Sequence, residues 1–393
     1  EVERKARSVR TGELGELKET KPRLQTRPDE DDNITIIPKT ATEEAGLISS
    51  KELRTYGEVK KGYTPFQKDD LLLAKITPCF QNKKISAADI DTEVGIGSTE
   101  FHVLRTSNAI DMKYLLHLLR QDSVVSEGEK CMTGSGGQRR VPRWFLENLS
   151  IPLPPLAEQQ RIAEILDRSQ SLMDDSIKME RKCDALLRAY FISRFGHPLD
   201  PANSIPRQAI GSISHVITGN TPPRKDPSNY GKSLEWLKSD NLGNLWPTSA
   251  AESLSSKGAE KARVVEEGAV LVTCIAGSRE SIGKSSLLNR KAAFNQQINA
   301  IVPSASLEPF FLFAQIKAAP ELIRRQATDG MKGIVSKKTL ESVEILVPPL
   351  DLQRNFAAVV ADIAGLKERA QQRINHFRNL YHSLSTRAFA SQL

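Results

Sequence analysis

Two segments of the chain carry apolar residues at helical spacing. From Glu158 to about Phe195 neither Pro nor Gly interrupts, and apolar side chains recur at Ile162, Ile165, Leu166, Leu172, Met173, Met179, Leu186, Leu187 and Tyr190. That period predicts one long helix. Taken in sevens from Ile162, the first line reads Ile, Ser, Ser, Cys, Tyr, whereas the line three residues on reads Ile165, Leu172, Met179, Leu186. The first line is soft and the second well formed. In the later segment Phe356, Ile363, Ala370, Phe377 and Leu384 form an apolar line, supported by Val359, Leu366 and Leu380. A helix of ~38 residues is about 57 Å long and cannot hide such a stripe alone. The expected partner is the other helix, packed antiparallel; the alternative is that each helix packs only on its own domain.

Ahead of each helix lies an irregular region of about 130–140 residues, rich in Gly, Pro, Thr and Asn, with short β-rich runs. A Pro-Pro-Leu tripeptide closes each region, and proline suits a helix start. A shift of about 194 residues lays GGQRRVPRWFLENLSIPLPPLAEQQRIA over GMKGIVSKKTLESVEILVPPLDLQRNFA without a gap. It pairs Gly136 with Gly330, Leu146 with Leu340, Glu147 with Glu341 and Gln159 with Gln353. With a small gap, DDLLLAKITP (Asp69 to Pro78) matches EGAVLVTCIAG (Glu267 to Gly277), each expected to be a core strand. LGEL at Leu14 answers IGSI at Ile210. A period this long indicates a duplicated domain rather than a solenoid. The expected fold is α+β: two similar globular domains (1–150 and 201–345), separated by two long antiparallel coiled-coil helices (151–200 and 346–393), as a pseudo-twofold internal repeat.

Composition changes this picture little. The 393 residues are 39% hydrophobic and 26% charged, with a net charge of +7 and a pI near 9.1. Residues 1–150 carry about zero net charge and residues 201–345 about +5. A polyanionic partner is therefore allowed, but it would have to meet local basic loops rather than a uniformly basic slab. Cys79, Cys131, Cys183 and Cys274 are scattered with no C-x-x-C pair, which suggests reduced thiols rather than zinc or disulfides. No apolar run approaches the ~20 residues that span a bilayer. The first twenty residues are charged rather than signal-like, so an intracellular, cytoplasmic protein without membrane attachment is expected.

The doubled Pro-Pro-Leu-x-x-Gln-x-x-Ile/Phe-Ala signature, each copy followed by a long helix, resembles the specificity subunit of Type I restriction-modification systems. So do AKITPCFQNKKI (Ala74 to Ile85), GIGSTEFHVLR (Gly95 to Arg105), ITGNTPPR (Ile217 to Arg224) and FNQQINAIVP (Phe294 to Pro303). The resemblance covers nearly all of the chain beyond residue 10. It implies that the globular domains are target-recognition domains, each reading one half of an asymmetric bipartite site in double-stranded DNA. It implies that the helices set the spacing and dock two methyltransferase subunits, with two restriction-motor subunits completing the nuclease. No cofactor is implied for this chain; S-adenosylmethionine belongs to the methyltransferase partner. The first domain departs from the pattern: TRPDEDDNITIIP (Thr26 to Pro38) stands where a G-x-T-P turn is expected.

The chemistry of a self-contained methyltransferase is missing. It needs an Asn/Asp-Pro-Pro-Tyr/Phe loop, and the Pro-Pro pairs here are Leu-Pro-Pro-Leu, Thr-Pro-Pro-Arg and Val-Pro-Pro-Leu. TGSGGQ (Thr133 to Gln138) is followed by Arg139 where a dinucleotide loop needs its third glycine. GSRESIGKSS (Gly277 to Ser286) has five residues between its glycines where a P-loop has four; the resemblance implies instead a turn between two strands of the second domain. His102 and His117 are expected as core or surface residues rather than ligands, and Asp29 to Asp32 as a solvated loop. No catalytic or metal residue is assigned.

Base edges call for Arg, Lys, Asn and Gln, and phosphates for Lys, Arg, Ser and Thr. In the first domain the candidate DNA contacts are Gln81, Asn82, Lys83 and Lys84, with Gln138, Arg139 and Arg140. In the second they are Asn220, Arg224, Lys225, Lys238, Asp240, Asn241, Arg279, Lys284 and Lys332. Asn295, Gln296 and Gln297 fit structural hydrogen bonding as well as reading. A self-contained DNA-modifying enzyme and a coiled-coil scaffold without nucleic acid remain the alternatives at this stage.

Overall fold

The computed structural model describes residues 11–390 except 21, 23, 25–26, 39–47, 49, 60–61, 136 and 330–331, and except the side chains of 17–20. The repeat pair Gly136 and Gly330, residues 1–10 and Thr26 lie outside the described residues. The chain divides into two compact units: Glu1–Ser176 with Gln372–Leu393, and Ile177–Gln371. Both divisions fall inside the long helices, so each unit contains part of each helix.

The first unit begins with β1 (Thr11–Glu13), α1 (Leu14–Leu17) and β2 (Lys18–Thr20), then β3 (Asn33–Ile37), β4 (Glu52–Thr55) and α2 (Tyr56–Val59). Strands β5 (Thr64–Gln67), β6 (Leu71–Ala74), β7 (Ile85–Ala87), β8 (Val94–Gly97) and β9 (Phe101–Thr106) follow. Helices α3 (Met112–Leu119), α4 (Asp122–Lys130) and α5 (Arg143–Glu147) and strand β10 (Ser150–Pro152) lead into α6 (Leu156–Phe195). Two sheets form, in the orders β2-β9-β6-β7 and β4-β3-β8-β5, while β1 pairs with β10. The fully apolar run Leu71–Ala74 is central in its sheet and buried throughout, as expected. The departure at Asn33–Ile37 is also a buried strand, parallel to β8. Asp29 to Asp32 are exposed.

The second unit repeats this plan. It contains β11 (Arg207–Ala209), α7 (Ile210–Ile213), β12 (Ser214–Thr218), β13 (Tyr230–Leu237), β14 (Ser253–Leu254), α8 (Ser256–Lys261) and β15 (Val264–Val265). Then come β16 (Val270–Thr273), β17 (Ile275–Ala276), β18 (Ser285–Leu287), β19 (Ala292–Phe294) and β20 (Ile298–Pro303). Helices α9 (Pro309–Ala318) and α10 (Glu321–Arg324), strand β21 (Gly333–Ile334), helix α11 (Lys337–Glu341) and strand β22 (Glu344–Leu346) precede α12 (Leu350–Phe389). Its sheets run β12-β20-β16-β18 and β14-β13-β19-β15, with β11 on β22 and the parallel pair now β13–β19. The strand orders match the first unit one for one.

The repeated residues build repeated devices. Gln159 and Gln353 are both buried. The Gln159 amide donates to the carbonyls of Pro154 and Ala109 and accepts from the backbone N–H of Asp111. The Gln353 amide donates to Pro348 and Ser306 and accepts from the N–H of Glu308. Asp111 and Glu308 are themselves the N-caps of α3 and α9. One buried glutamine thus ties a long-helix start to a domain helix in each unit by partnering backbone groups of both. The small residue in LGEL and IGSI has an equally local cause. A Cβ on Gly15 would lie 2.8 Å from the Glu147 carbonyl, and one on Gly211 would lie 2.9 Å from the Glu341 side chain. Helix α6 stops at Gly196, whose φ of 72° is a left-handed helix end,.

Along α6 the softer of the two lines is the more deeply buried. Ile162, Ser169, Ser176 and Cys183 are buried, while Met179 and Leu186 are 50% and 51% exposed. Small side chains let neighbouring elements close over that face, and available space rather than hydrophobicity decides which line is covered. On α12 Phe356, Ile363 and Ala370 are buried as expected, but the supporting Val359, Leu366 and Leu380 are exposed. Both helices enter each core. In the second unit Phe191 and Phe195 of α6 meet Phe356 of α12 and Phe311 of α9, and Tyr190 stacks on Phe356 with centroids 5.1 Å apart. In the first, Ile162, Ala163 and Leu166 of α6 and Ala388 of α12 pack with Tyr114 and Leu118 of α3.

Candidate nucleic-acid interface

In the first unit the fold brings the two candidate loops together. The β6–β7 loop contains Gln81 to Lys84, and Gln138 to Arg140 precede α5. Thr77 and Arg139 exchange three hydrogen bonds of 2.9 Å, two of them through the Thr77 hydroxyl, and Ile76 bridges to Arg140. Lys83 is held at a φ of 53°, a left-handed conformation uncommon for a residue with a Cβ,. Its ammonium pairs with Asp122 at the start of α4. The Arg139 guanidinium donates to the carbonyls of Glu129 and Met132 at the end of α4, so it braces the loop. Arg140 makes a bidentate pair with Glu100 at 2.7 and 2.9 Å, which holds its guanidinium pKa above the ordinary value. Gln81 lies against the Met132 sulfur. Asn82 and Gln138 are exposed and Lys84 is half-buried.

The second unit joins the corresponding loops. Strand β17, at the start of the β16–β18 loop, pairs with β21 just ahead of α11. This places Arg279 and Lys284 in one loop and Lys332 in its partner. Gly277 to Ser286 is indeed a turn between strands: a short 3-10 turn at Arg279–Ser281 fills it. Arg279 pairs with Asp329 at 3.2 Å, while Lys284 and Lys332 are exposed.

A second cluster surrounds Trp236 on β13. The Arg224 guanidinium lies over the rings of Tyr230 and Trp236, 4.7 and 5.0 Å from their centroids. Glu252 accepts from Arg224 at 2.8 Å and pairs with Lys238 at 3.2 Å. The Arg224 contact, followed by that of Lys238, holds the Glu252 carboxyl below its usual range. Lys225 and Asp240 are exposed nearby in the chain. Asn220 accepts from the Arg263 N–H and donates to the Lys261 carbonyl, and Asn241 bonds Lys238, Thr248 and Ser249. Their side chains are committed to the frame. Asn295 and Gln297 bond each other, and Gln296 accepts from Thr221.

Sequence reasoning missed the carboxylates that organise these cations. Glu100, Asp122 and Glu252 are single residues in irregular stretches, and nothing in their spacing marks them. Gln159 and Gln353 were visible as a repeated pair, but not their bonds. Among the described residues no group of three or more His, Cys, Asp or Glu side chains is arranged to hold a metal ion. No helix there is long and apolar enough to cross a membrane.

The family model for the Type I restriction modification DNA specificity domain matches residues 4–182 and again 208–376. The chain belongs to the Type I restriction-modification DNA specificity family. Two specificity proteins of Escherichia coli are similar to it. The EcoAI specificity subunit is 41% identical over 289 residues, covering 65% of this chain and 45% of that protein. The EcoEI specificity subunit is 40% identical over 164 residues, covering 41% of this chain and 27% of that protein. The chain therefore spans less than half the length of these relatives. A Type I S subunit from M. genitalium superposes with a TM-score of 0.58 at 15% identity, covering 97% of this chain and 96% of that one. A chain from a type I R-M system studied for complex assembly and conformational transition gives 0.53 at 22% identity, covering 98% of both. At these identities the likeness establishes a specificity-family fold alone.

Proposed function

We propose that this chain is the non-catalytic, sequence-reading subunit of a cytoplasmic Type I restriction-modification complex. Each domain is a target-recognition domain that reads one half of an asymmetric bipartite site in double-stranded DNA. The observation that carries this reading is the repeated pairing of the same two loops, by Thr77 with Arg139 in one unit and β17 with β21 in the other. Each pair bears different donors: Asn82, Lys83 and Gln138 in the first, Arg279, Lys284 and Lys332 in the second. One scaffold with unlike loop chemistry suits two unlike half-sites.

In this reading α6 and α12 form an antiparallel coiled coil related by a pseudo-twofold axis. Contacts inside the second unit support it: Tyr190 stacks on Phe356, and further along Lys367 pairs with Asp184 at 2.7 Å. Helices of 40 residues, about 60 Å long, are the elements that would set the spacing between the two half-sites. The exposed seven-spaced lines Met179–Leu186 and Leu352–Val359–Leu366 are apolar surface available to two methyltransferase subunits,. Those subunits would carry S-adenosylmethionine and methylate adenine at N6, and two restriction-motor subunits would complete the nuclease.

Methylome sequencing of cells expressing the chain with its methyltransferase partner tests this. A split, asymmetric adenine-methylated motif is expected; methylation without such a motif, or none, overturns it.

A further inference from the structure

We propose that Arg224 reads a guanine in the half-site of the second unit, and that Glu252 positions it for that contact. The assignment rests on the DNA-reading function above and adds a residue and a base to it. An arginine that reads a base must present its planar fork in one orientation, and a free arginine side chain loses rotamer freedom in doing so. Arg224 has much of that order already. Its guanidinium rests on the Tyr230 and Trp236 rings, and Glu252 fixes Nη2 from the side. The Trp236 ring is itself immobilised, buried and donating through Nε1 to the Asn220 carbonyl at 3.1 Å. Asn220 in turn is locked by the Lys261 carbonyl and the Arg263 N–H. The support reaches two layers back from the guanidinium, while Arg224 remains 53% exposed on its outer side.

Geometry favours a base edge over a phosphate. Glu252 bonds both Arg224 and Lys238, so it neutralises one of their two charges and weakens the pull on a phosphate while holding the Arg224 fork in one orientation. A guanine edge is neutral and presents two acceptors, O6 and N7, that match the guanidinium fork. Lys225, exposed in the same loop, is the better phosphate contact of the two.

The test uses the full chain in complex with its methyltransferase. The methylated motif of the wild-type complex is determined first, and duplexes carrying each single base-pair change are then titrated at several salt concentrations. Arg224→Lys is expected to lower discrimination at one G·C pair by about tenfold to a hundredfold, with the salt slope unchanged and the other half-site intact. Glu252→Gln is expected to weaken discrimination at that same pair to a smaller degree. Lys225→Ala should instead weaken binding to all duplexes and lower the salt slope by about one unit. Unchanged discrimination at the remaining pairs of the second half-site reports that the second unit of Arg224→Lys is folded. Weakening spread uniformly over all duplexes in Arg224→Lys, with no base pair singled out, makes the residue a phosphate contact and overturns the assignment. An unchanged motif in Arg224→Lys overturns it too, leaving the reading function standing. Absence of any motif with the wild-type complex overturns both.

Discussion

The two units share their apolar and backbone architecture but fasten it to the long helices with different polar groups. In the first, His117 on α3 is buried between the Tyr381 hydroxyl of α12, at 2.9 Å, and the Asp167 carboxylate of α6, at 2.8 Å, which also pairs with Lys113. In the second, Lys317 on α9 donates to the Gly243 carbonyl at 2.6 Å and approaches Asp184 of α6, which pairs with Lys367 of α12. The common parts are those that any copy of the domain needs in order to cover its backbone. The unlike parts give each domain its own match to its own stretches of helix. Duplication explains the first set, and divergence at positions where packing tolerates several chemistries explains the second.

The shared glutamines provide the strongest way to break this comparison. Gln159→Leu and Gln353→Leu each remove the buried amide that serves two carbonyls and one N–H, at about 1–3 kcal/mol for each group left without a partner away from water. Losses of about 3–5 kcal/mol are expected from each, alike in the two units. Hydrogen exchange followed by peptide would show the loss in α3 for one variant and α9 for the other. A difference of more than about 2 kcal/mol between them would mean that the two glutamines are not one device.

The unlike fasteners should respond unequally. His117→Ala opens a cavity and strands Tyr381 and one side of Asp167, with an expected loss of about 2–4 kcal/mol in the first unit. Lys317→Met keeps the aliphatic stem and removes an ammonium that burial disfavours, lowering its pKa. A change within about 1 kcal/mol is expected there. Unit-resolved exchange would check both, and equal losses would erase the distinction.

How far the sequence was legible follows the same division. The duplication, the Pro-Pro-Leu helix starts and the core runs at Leu71–Ala74 and Val270–Thr273 were readable because they repeat or follow a strict period. The buried face of α6 was not: periodicity ranks lines by hydrophobicity, and here Ser169 and Ser176 lie beneath close-packed neighbours while Leu186 faces outward. The candidate loops were legible by their cations, but their joining at Thr77 and Arg139 depends on tertiary closure between residues 62 apart. The carboxylates at Glu100 and Glu252 left no pattern at all. The buried polar line of α6 yields its own test. Ser169 Oγ is buried without a partner, so Ser169→Ala should stabilise the first unit by about 0.5–1 kcal/mol, measured by denaturant unfolding. Destabilisation would show that the hydroxyl is needed on that face.

The smallest expected difference is in pH dependence. Burial raises the Asp167 carboxyl, but bonds from His117 and Lys113 outweigh that and hold it below its ordinary value of 3.8. A carboxyl lowered on folding stabilises the folded state fully above its unfolded pKa, and that stability is lost as pH falls through the folded value. Acid should therefore loosen the junction of α3, α6 and α12 in the first unit below about pH 4. Lys317 behaves in the opposite sense: burial lowers its pKa, so its charged form is disfavoured at neutral pH and the penalty fades in alkali,. Acid between pH 5 and 3 should leave Lys317 unaffected, since it is protonated throughout. Exchange measured over that range should show protection falling around Tyr381 and His117 before it falls around Lys317. Asp167→Asn should flatten the acid response of the first unit; an unchanged response would place the acid-sensitive group elsewhere.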